Sequence, residues 1–313
     1  MSRRALAYRL ALALIAAYCL FSVAAGIVLA EYALHPGHRP LHFEREARQI
    51  AREMGARLED VSLTAPDGTT LAAWHATPAR WNGSAVILLH GVSDNREGVG
   101  GFARLFLEHG YSVLLPDVRA HGLSGGALAG YGLREAGDVH AWTDWLYARR
   151  QPVCVFGFGE SMGAGIIVQA VRAEPRLCGV VAESPFGDFR EAAYDKVAAY
   201  LHIHPALAKL IFAPAVEIGL RYARSKYDVD MVQASPARAV QQARVPVLLI
   251  HGTLDHSLRP RQSELIRAAN PRLVTLWEVQ GAGHCGASAI APEQFRTRVL
   301  DFYAAHLPAK TLL

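Results

Sequence analysis

The sequence predicts an α/β fold in which helices flank a mostly parallel central sheet. From about residue 84 onward, short apolar and β-prone runs alternate with longer segments of helical periodicity, which is the order of crossover units in a parallel sheet. Polar residues follow directly after several of these runs, at the edge where open parallel sheets place their active sites. The chain has 313 residues; the part from residue 59 to 313 suits a single domain with one hydrophobic core.

The amino terminus predicts a membrane anchor. Residues 10–30 contain no charged side chain, and as a helix this segment is roughly 30 Å long, enough to cross the hydrocarbon core of a bilayer. Residues 1–9, with three arginines, form the predicted cytoplasmic tail. A buried core helix and a signal peptide cleaved after Val28-Leu29-Ala30 are the alternatives. The apolar stretch exceeds the roughly 7–15 residues of a signal peptide, which favours an uncleaved anchor.

The orientation of this span is predicted from charge and from domain length. Three arginines precede the span, and Arg39, Arg45 and Arg48 follow soon after it, so the count of positive charges is a tie. Moving the short basic tail across the bilayer is unfavourable, whereas a long domain crosses largely regardless of its charge. We therefore expect the domain after the span to lie outside the cytoplasm. Secretion after signal-peptide cleavage is the alternative.

Residues 31–58 are predicted to connect the span to the domain, first as a linker and then as a charged amphipathic helix over residues 42–56. Two short strands, residues 61–64 and 70–76, flank Pro66-Asp67-Gly68, which is typical of a hairpin turn. The alternation of strands and helices then begins. Its first elements are predicted strands at residues 84–89, 112–115 and 152–158 and helices at residues 102–109 and 133–148.

Gly159-Glu160-Ser161-Met162-Gly163 predicts a nucleophile at a sharp turn. The pentapeptide joins the strand at residues 152–158 to a helix of about three to four turns that ends before Pro175. Glycine at both flanking positions removes the Cβ atoms that collide when strand and helix approach so closely. Ser161 is left exposed at the tip, where the positive end of the helix favours a developing oxyanion. A Gly/Ser turn without chemistry is the alternative.

Two later strands each end close to a polar group that a serine nucleophile needs. Residues 247–252 form an apolar run that ends close to Asp255, and residues 273–279 form another, followed by His284. The chain order of serine, aspartate and histidine is the one expected for a nucleophile on a strand-turn-helix elbow. A serine hydroxyl is a poor nucleophile at neutral pH, so a histidine must take its proton and a carboxylate must fix the histidine tautomer.

With these segments identified, the chain resembles the α/β-hydrolase superfamily, in particular its serine esterases and lipases. Residues 88–92, Leu-Leu-His-Gly-Val, resemble the family strand that ends in His-Gly. Residues 116–124 are similar to the family loop Asp-x-Arg-x-His-Gly-x-Ser, with Ala120 where the family often has glycine. The match extends over residues 59–308.

The resemblance implies a role for each residue of the site. Ser161 is the implied nucleophile, His284 the general base, and Asp255 the group that orients and stabilises the imidazolium. The backbone N–H groups of Val92 and Met162 form the implied oxyanion hole. Side-chain identity at those two positions is weak evidence, because the donors are backbone groups.

Residues 185–239 interrupt the alternation of strands and helices, at the position of the helical lid insertion in the family. They contain apolar, helix-compatible runs at residues 197–201 and 207–212. A lid would help to select the substrate, and its apolar content suggests an uncharged or acyl-bearing one. An apolar helix face that only packs on the main domain is the alternative.

Other polar residues near the predicted site have simpler interpretations. Glu183 follows another short apolar strand, where some relatives place the triad acid, but the His-Gly-x-x-Asp setting of Asp255 favours Asp255. His90, His121 and His256 are expected to be structural hydrogen-bonding residues.

No metal and no cofactor are predicted. The histidines never fall into a His-Glu-x-x-His spacing, and the cysteines form no Cys-x-x-Cys pair. The glycines around Ser161 have the wrong spacing for a dinucleotide-binding fingerprint.

The four cysteines leave the redox state open. Cys19 lies in the predicted span, so Cys154, Cys178 and Cys285 remain in the domain, and an odd set is not a complete disulfide framework. Small buried thiols are the default interpretation. The hydrolase strand order places Cys154 and Cys178 near the starts of adjacent strands, which makes a bridge conceivable.

Charge and motif together define the expected partners. The net charge of +4 is only mildly basic, and no stripe of basic and aromatic residues occurs, so nucleic-acid binding is not expected. The expected substrate is a small-molecule or lipid-like carboxylic ester, cleaved through an acyl-enzyme. A peptidase, amidase or thioesterase with the same triad is one alternative, and a catalytically silent binding protein is another. The oligomeric state stays open.

Overall fold

Eight strands form the centre of the molecule in a computed structural model that describes residues 2–308. They are β1 (Arg57–Thr64), β2 (Thr70–Thr77), β3 (Ser84–Leu89), β4 (Ser112–Pro116), β5 (Cys154–Glu160), β6 (Leu177–Glu183), β7 (Val247–Gly252) and β8 (Val274–Val279). Their spatial order is β1-β2-β4-β3-β5-β6-β7-β8. β2 pairs antiparallel with β1 and β4, and all other neighbours are parallel. The predicted mostly parallel α/β fold is confirmed.

Helices precede the sheet, connect its strands and cover both of its faces. They are α1 (Arg3–Leu34), α2 (Glu44–Glu53), α3 (Gly100–Glu108), α4 (Glu135–Arg150), α5 (Met162–Ala173), α6 (Phe189–Leu201), α7 (Pro205–Tyr227), α8 (Pro236–Val240), α9 (Arg261–Ala269), α10 (Ala287–Ile290) and α11 (Pro292–Ala305). A 3₁₀ turn, Met231–Gln233, lies between α7 and α8.

Two apolar cores hold helices against the two faces of the sheet. On one face, α4 and α5 pack against the strands through side chains such as Trp142 and Ile167, together with α8 and α9. On the other face, α3 and α11 contribute Phe106 and Tyr303, and the Tyr303 ring stacks on Phe156 with 4.3 Å between centroids. β3, β4 and β7 are buried along their whole length, as expected for parallel strands covered on both faces.

The insertion between β6 and β7 has two parts. α8 packs on α5 in the layer that flanks the sheet, through the buried Val240. α6 and α7 stand outside that layer and meet at an angle of 114°. Their apolar contacts include Tyr194 of α6 and Val216 of α7, which lie in one cluster. The helical insertion predicted at residues 185–239 is therefore present, while its role as a lid stays a prediction.

The amino-terminal helix is longer than the predicted span at both ends. α1 is long and apolar enough to cross a membrane, and it continues four residues into the segment predicted as a linker. The continuation is stabilised by tertiary contacts, because Leu34 is buried in the cluster of α6 and α7 and the Tyr131 hydroxyl donates to Ala33 O at 3.0 Å.

A disulfide joins Cys154 and Cys178 at the amino ends of the adjacent strands β5 and β6, with 5.8 Å between their Cα atoms. The interpretation of these two residues as buried thiols is therefore wrong, because adjacent parallel strands bring their Cβ atoms within bonding reach. Cys19 and Cys285 are free.

Candidate active site

Ser161 lies at a sharp turn between β5 and α5. Its backbone angles, φ 51° and ψ −111°, are rarely adopted by residues with a side chain and mark local strain. The Ser161 amide donates to Glu183 O on β6 at 2.9 Å, which holds the turn against the neighbouring strand. The elbow is therefore fixed by the sheet itself.

The glycines on either side of the elbow are required by close backbone approach. A Cβ atom on Gly159 would lie 2.7 Å from Ala164 N, and one on Gly163 would lie 2.6 Å from His90 O. Real Cβ atoms do not approach backbone atoms so closely, so any larger residue would force the strand and the helix apart. This is the steric reason that the sequence pattern anticipates.

The structure brings the three predicted side chains into one hydrogen-bonded chain. His284 Nε2 lies 2.9 Å from Ser161 Oγ, and His284 Nδ1 lies 2.7 Å from Asp255 Oδ2. Ser161 follows β5, Asp255 follows β7 and His284 follows β8, so the three residues meet at the carboxyl edge of the sheet. This geometry allows the imidazole to take the serine proton while the carboxylate fixes the other ring nitrogen.

Asp255 is surrounded by donors that keep it ionised. The amides of Ser257 and Leu258 each donate to Asp255 Oδ1 at 2.9 Å, and His251 Nε2 lies 3.3 Å from Oδ2. Burial by itself raises the pKa of Asp255, but the hydrogen bonds from His251 and His284 outweigh it and hold that pKa well below its ordinary value. The carboxylate is thus charged at neutral pH.

His251 is a supporting residue that the sequence reasoning missed. It ends the buried strand β7, and its Nδ1 lies 2.7 Å from Ser263 Oγ of α9. The signal that could have found it is its spacing, because a residue four positions before Asp255 at the end of a strand faces the same loop. Glu183 is placed differently: its Oε1 accepts from the Ala287 amide at 2.8 Å, whereas His284 bonds to Asp255.

The two predicted oxyanion donors flank Ser161. Met162 is the first residue of α5, and Val92 follows Gly91, on which a Cβ atom would lie 3.6 Å from Ser161 Cβ. Within residues 2–308, neither the Val92 nor the Met162 amide has a hydrogen-bond acceptor. Both donors are therefore available to a ligand.

The loop after β4 supports the site without touching Ser161. Asp117 accepts from the buried Arg96 guanidinium at 2.6 Å and from the Leu123 amide at 2.6 Å, while Ser124 Oγ donates to Asp117 O at 2.7 Å. His90 Nε2 accepts from the Val118 amide at 3.0 Å. These contacts tie the strand before Val92 to the neighbouring strand.

Two further carboxyl groups near Ser161 have raised pKa values. Burial, together with the charges of Glu183 and Asp94, raises the pKa of Glu160 to about 8. Burial raises the pKa of Glu183 to about 7, against the opposing hydrogen bond from Ala287. The two residues are register partners on β5 and β6. A pair of buried carboxyl groups thus lies directly beside the nucleophile elbow.

Cys285 follows His284 and is a poor alternative nucleophile. Burial raises the pKa of its thiol well above the ordinary value, and the thiolate is the reactive form. The Cys285 amide donates to Ser184 Oγ at 3.1 Å, which positions the His284 loop against the end of β6.

Helix α6 is tied to the loop that carries Asp255. Lys196 Nζ lies 2.6 Å from Ser257 Oγ, and the buried Asp195 accepts from Arg261 at 2.9 Å and from Gln262 at 2.7 Å. Lys196 is exposed to solvent, yet surrounding protein lowers its pKa. The Lys196 ammonium thus lies beside the loop that carries Asp255.

One cluster of possible metal ligands occurs in the described chain, between α4 and the turn before β6. It comprises His140, Asp144 and Glu174. Arg176 donates to Asp144 at 2.6 Å and to Glu174 at 2.5 Å, so its guanidinium already neutralises both carboxylates. The cluster is best described as an ion-pair network.

Comparisons with known proteins agree with this architecture. A family model described as serine aminopeptidase, S33, matches residues 82–237. An uncharacterized Bacillus subtilis protein, YqkD, is 26% identical over 250 residues, which cover 79% of this chain and 80% of that protein. A lysophosphatidylserine lipase of Mus musculus is 26% identical over 224 residues, which cover 62% of this chain and 51% of the lipase. The chain thus matches about half the length of that lipase.

Solved structures show the same fold. An esterase of Pyrococcus furiosus superposes with a TM-score of 0.71 at 22% identity, covering 88% of this chain and 99% of the esterase. A Xanthomonas campestris protein described as a serine hydrolase without lid superposes with a TM-score of 0.55 at 19% identity, covering 81% of this chain and 97% of that protein. At this level of identity the likeness establishes the fold and not the activity.

Proposed function

Because the chain belongs to the α/β-hydrolase superfamily, we propose that it is a serine hydrolase that cleaves carboxylic esters with Ser161, His284 and Asp255. The observation that carries this proposal is the continuous hydrogen-bonded chain from Asp255 Oδ2 through His284 to Ser161 Oγ. The strained elbow and the two free amides beside it support the same assignment.

The proposed reaction proceeds through an acyl-enzyme. His284 Nε2 takes the Ser161 proton as Oγ attacks the ester carbonyl, and the Val92 and Met162 amides donate to the oxyanion. His284 then gives the proton to the leaving alkoxide. A water molecule, activated by the same imidazole, attacks the acyl-enzyme, releases the acid and restores Ser161. Asp255 stays ionised throughout and stabilises the imidazolium.

The substrate class is proposed from the surroundings of the site and from the relatives. Apolar side chains of α6 pack against Phe186 and Leu258, which follow β6 and β7 at the carboxyl edge of the sheet, and this apolar surrounding suits an acyl chain. Relatives include a lysophosphatidylserine lipase, and α1 would hold the domain at a membrane. A lipid-like ester fits these features. The disulfide supports an extracytoplasmic location for the domain.

The direct test is covalent labelling of the full chain with a fluorophosphonate. We expect labelling of the wild-type protein and none of Ser161→Ala, which should also lose ester hydrolysis by at least about three orders of magnitude while folding normally. Ser112→Ala, which removes a buried hydroxyl at the start of β4 that has no hydrogen-bond partner among the described residues, is the matched control and should still label. Near-full activity of Ser161→Ala on a short acyl ester would contradict the assignment.

Amide hydrolysis is the second candidate, because the matching family model is described as a serine aminopeptidase. Parallel assays with matched esters and amides of the same acyl group separate the two. The ratio of the ester rate to the amide rate is compared with the same ratio for the uncatalysed reactions. A larger ratio with the enzyme supports ester hydrolysis as the function. Failure of a folded protein to label would instead indicate a binding protein on this fold.

A further inference from the structure

We propose that α6 and α7 form a membrane-binding surface beside the anchor α1, so that lipid-borne esters reach Ser161 from the bilayer. This inference rests on the proposed ester hydrolysis at Ser161 and on α1 as the membrane span. The occupant of the surface is the hydrocarbon of a phospholipid bilayer.

The first step is the packing of α1 on α7. A Cβ atom on Gly26 would lie 2.5 Å from Ala215 O, and one on Gly219 would lie 2.7 Å from Gly26 O, so the two backbones touch. The buried positions of α1 repeat every four residues, at Ser22, Gly26, Ala30 and Leu34, and α7 buries Ala215, Gly219 and Ala223 at the same spacing. Helices that associate inside membranes often have small residues at this spacing, because small residues let the two backbones approach closely.

The second step is the direction of the two helices. Near one end, the Tyr18 hydroxyl donates to Ile211 O at 2.7 Å, and the Phe21 and Phe212 rings lie 5.9 Å apart. Near the other end, Glu31 accepts from Tyr222 at 2.5 Å. The contacts advance together along both chains, so the helices are parallel and share a length of roughly 20 Å.

This parallel packing fixes the depth of α7 relative to the membrane. Tyr18 and Gly26 both lie inside the predicted span, residues 10–30. If that span crosses the bilayer, the α7 residues packed against it, 211–219, lie at the same depth. α7 is then a second element at the membrane and not a helix in water.

The third step is the chemistry of the exposed surface. The corner between α6 and α7 presents large apolar side chains to the outside; Tyr200 is 85% and Leu210 is 77% exposed. Others are Leu201, Leu207 and Ile211. The charged residues in this half of α7 are paired: Lys209 Nζ lies 2.7 Å from Glu191 Oε1, and Glu217 Oε1 lies 2.8 Å from Arg190 Nε. An exposed apolar surface with neutralised charges fits hydrocarbon.

The opposite end of the same helix pair fits the membrane–water boundary. Glu31 of α1 accepts from Lys226 at 2.8 Å and from Tyr227 at 2.8 Å, in addition to Tyr222. Basic and tyrosine side chains concentrate there, as at the interfaces of membrane proteins. They are Arg221, Tyr222, Arg224, Lys226, Tyr227 and the exposed Tyr32 of α1. Taken together, α6 and α7 are also long and apolar enough to form a bent membrane segment.

The surface leads to the candidate active site. α6 carries Lys196 to Ser257 beside Asp255, and Tyr194 of α6 packs in the same cluster as Leu34 of α1. Helix α6, which belongs to the proposed membrane-binding surface, therefore also covers the loop that carries Asp255. A lipid ester that enters from the bilayer would therefore meet α6 and α7 before Ser161, whereas a water-soluble ester does not depend on this surface.

The physical test measures depth without any need for activity. The full chain with Cys19→Ser and Cys285→Ser receives one cysteine for an environment-sensitive fluorophore, and is reconstituted in phosphatidylcholine vesicles that contain lipids with a quencher on the acyl chain. We expect quenching at Leu210→Cys and at Leu14→Cys of α1. Leu307→Cys is the control, because His306 O lies 3.8 Å from Cys154 Sγ at the amino edge of the sheet. Quenching at Leu14→Cys without quenching at Leu210→Cys would overturn the proposal.

The functional test uses the same surface with the cysteines unchanged. Leu210→Asp should lower turnover of a long-chain acylglycerol in phosphatidylcholine vesicles about tenfold, as expected for a charge that weakens apolar insertion, and leave 4-nitrophenyl acetate hydrolysis unchanged. Leu307→Asp should change neither. Equal loss on both substrates, or on neither, contradicts the membrane surface. If the wild-type protein is inactive on both substrates, the proposed ester hydrolysis is wrong. The quenching experiment then still decides whether α7 lies in the membrane.

Discussion

Glu160 and Glu183 are register partners on adjacent strands, and the Glu183 carbonyl oxygen accepts from the Ser161 amide. Each carboxyl group has a raised pKa, chiefly because of burial, and the charge of Glu183 adds to the shift of Glu160. Both residues lie at the ends of the two strands that the Ser161 turn joins through its amide.

The free energy of unfolding should fall as the pH rises from the ordinary pKa of Glu160 to its raised value in the folded protein. The unfolded carboxyl ionises near its ordinary pKa of 4.5, whereas the folded one holds its proton up to about 8, so the native state binds more protons between these values. Glu160→Gln should remove this loss and raise the free energy of unfolding at pH 9 by on the order of 2 kcal/mol.

Thermal unfolding of the two proteins at pH 5, 7 and 9 checks this expectation. The exposed Glu293→Gln on α11 serves as the control and should follow the wild-type curve. A wild-type midpoint that does not decline toward pH 9 would show that the pair is already ionised in the folded protein.

At the scale of elements, the loop after β4 shows that a residue preference of the family can indicate a particular backbone conformation. Ala120, which stands where the family often has glycine, has φ 60°, in the left-handed region that favours glycine. The loop keeps this shape because Asp117 and Ser124 bind across it. Ala120 therefore adopts a strained backbone conformation, and the surrounding hydrogen bonds stabilise the loop in spite of that strain.

Ala120→Gly should therefore stabilise the protein by about 0.5–1 kcal/mol, since relief of the left-handed strain exceeds the entropy that glycine adds to the unfolded chain. Ala127→Gly, at an exposed position of the same loop without positive φ, should be neutral or destabilising. Urea unfolding of the two variants distinguishes them. A lower midpoint for Ala120→Gly would show that the loop carries no strain there.

At the scale of the whole molecule, the disulfide and the anchor both constrain the domain. The Cys154–Cys178 bridge closes a loop with a sequence separation of 24 residues at the amino edge of the sheet, opposite to the triad. α1 is tied to the carboxyl edge through the loop after β4, where the Ala129 amide donates to Leu34 O at 2.9 Å. The two constraints act on opposite edges of the same sheet, so loss of one should leave the other intact.

Removal of the bridge should lower the free energy of unfolding by about 3 kcal/mol, the value for a loop of this length. For a domain of this size the thermal midpoint should then fall by roughly 5–10 °C. Cys154→Ser with Cys178→Ser and the reduced wild-type protein should agree, and fluorophosphonate labelling at low temperature should persist in both. A reducing agent without effect on the midpoint would contradict a structural bridge.

The sequence by itself determined the strand set and the positions of the site residues. β3 and β7 begin and end where their apolar runs do, because fully buried strands are bounded by polar turns. The pentapeptide around Ser161 predicted the elbow for a local steric reason, and the hydrolase resemblance supplied the chain order that assigns Asp255 and His284. These inferences depend on short segments and need no knowledge of distant contacts.

Some questions that the sequence left open were decided only by the tertiary structure. They concern contacts between segments that lie far apart in the sequence. The bond between Cys154 and Cys178 and the pairing of Glu160 with Glu183 both depend on strand register, which no single segment encodes. The length of α1 was decided by Leu34 and Glu31, whose partners lie far along the chain. Local sequence fixes which groups are available, whereas packing fixes which of them touch.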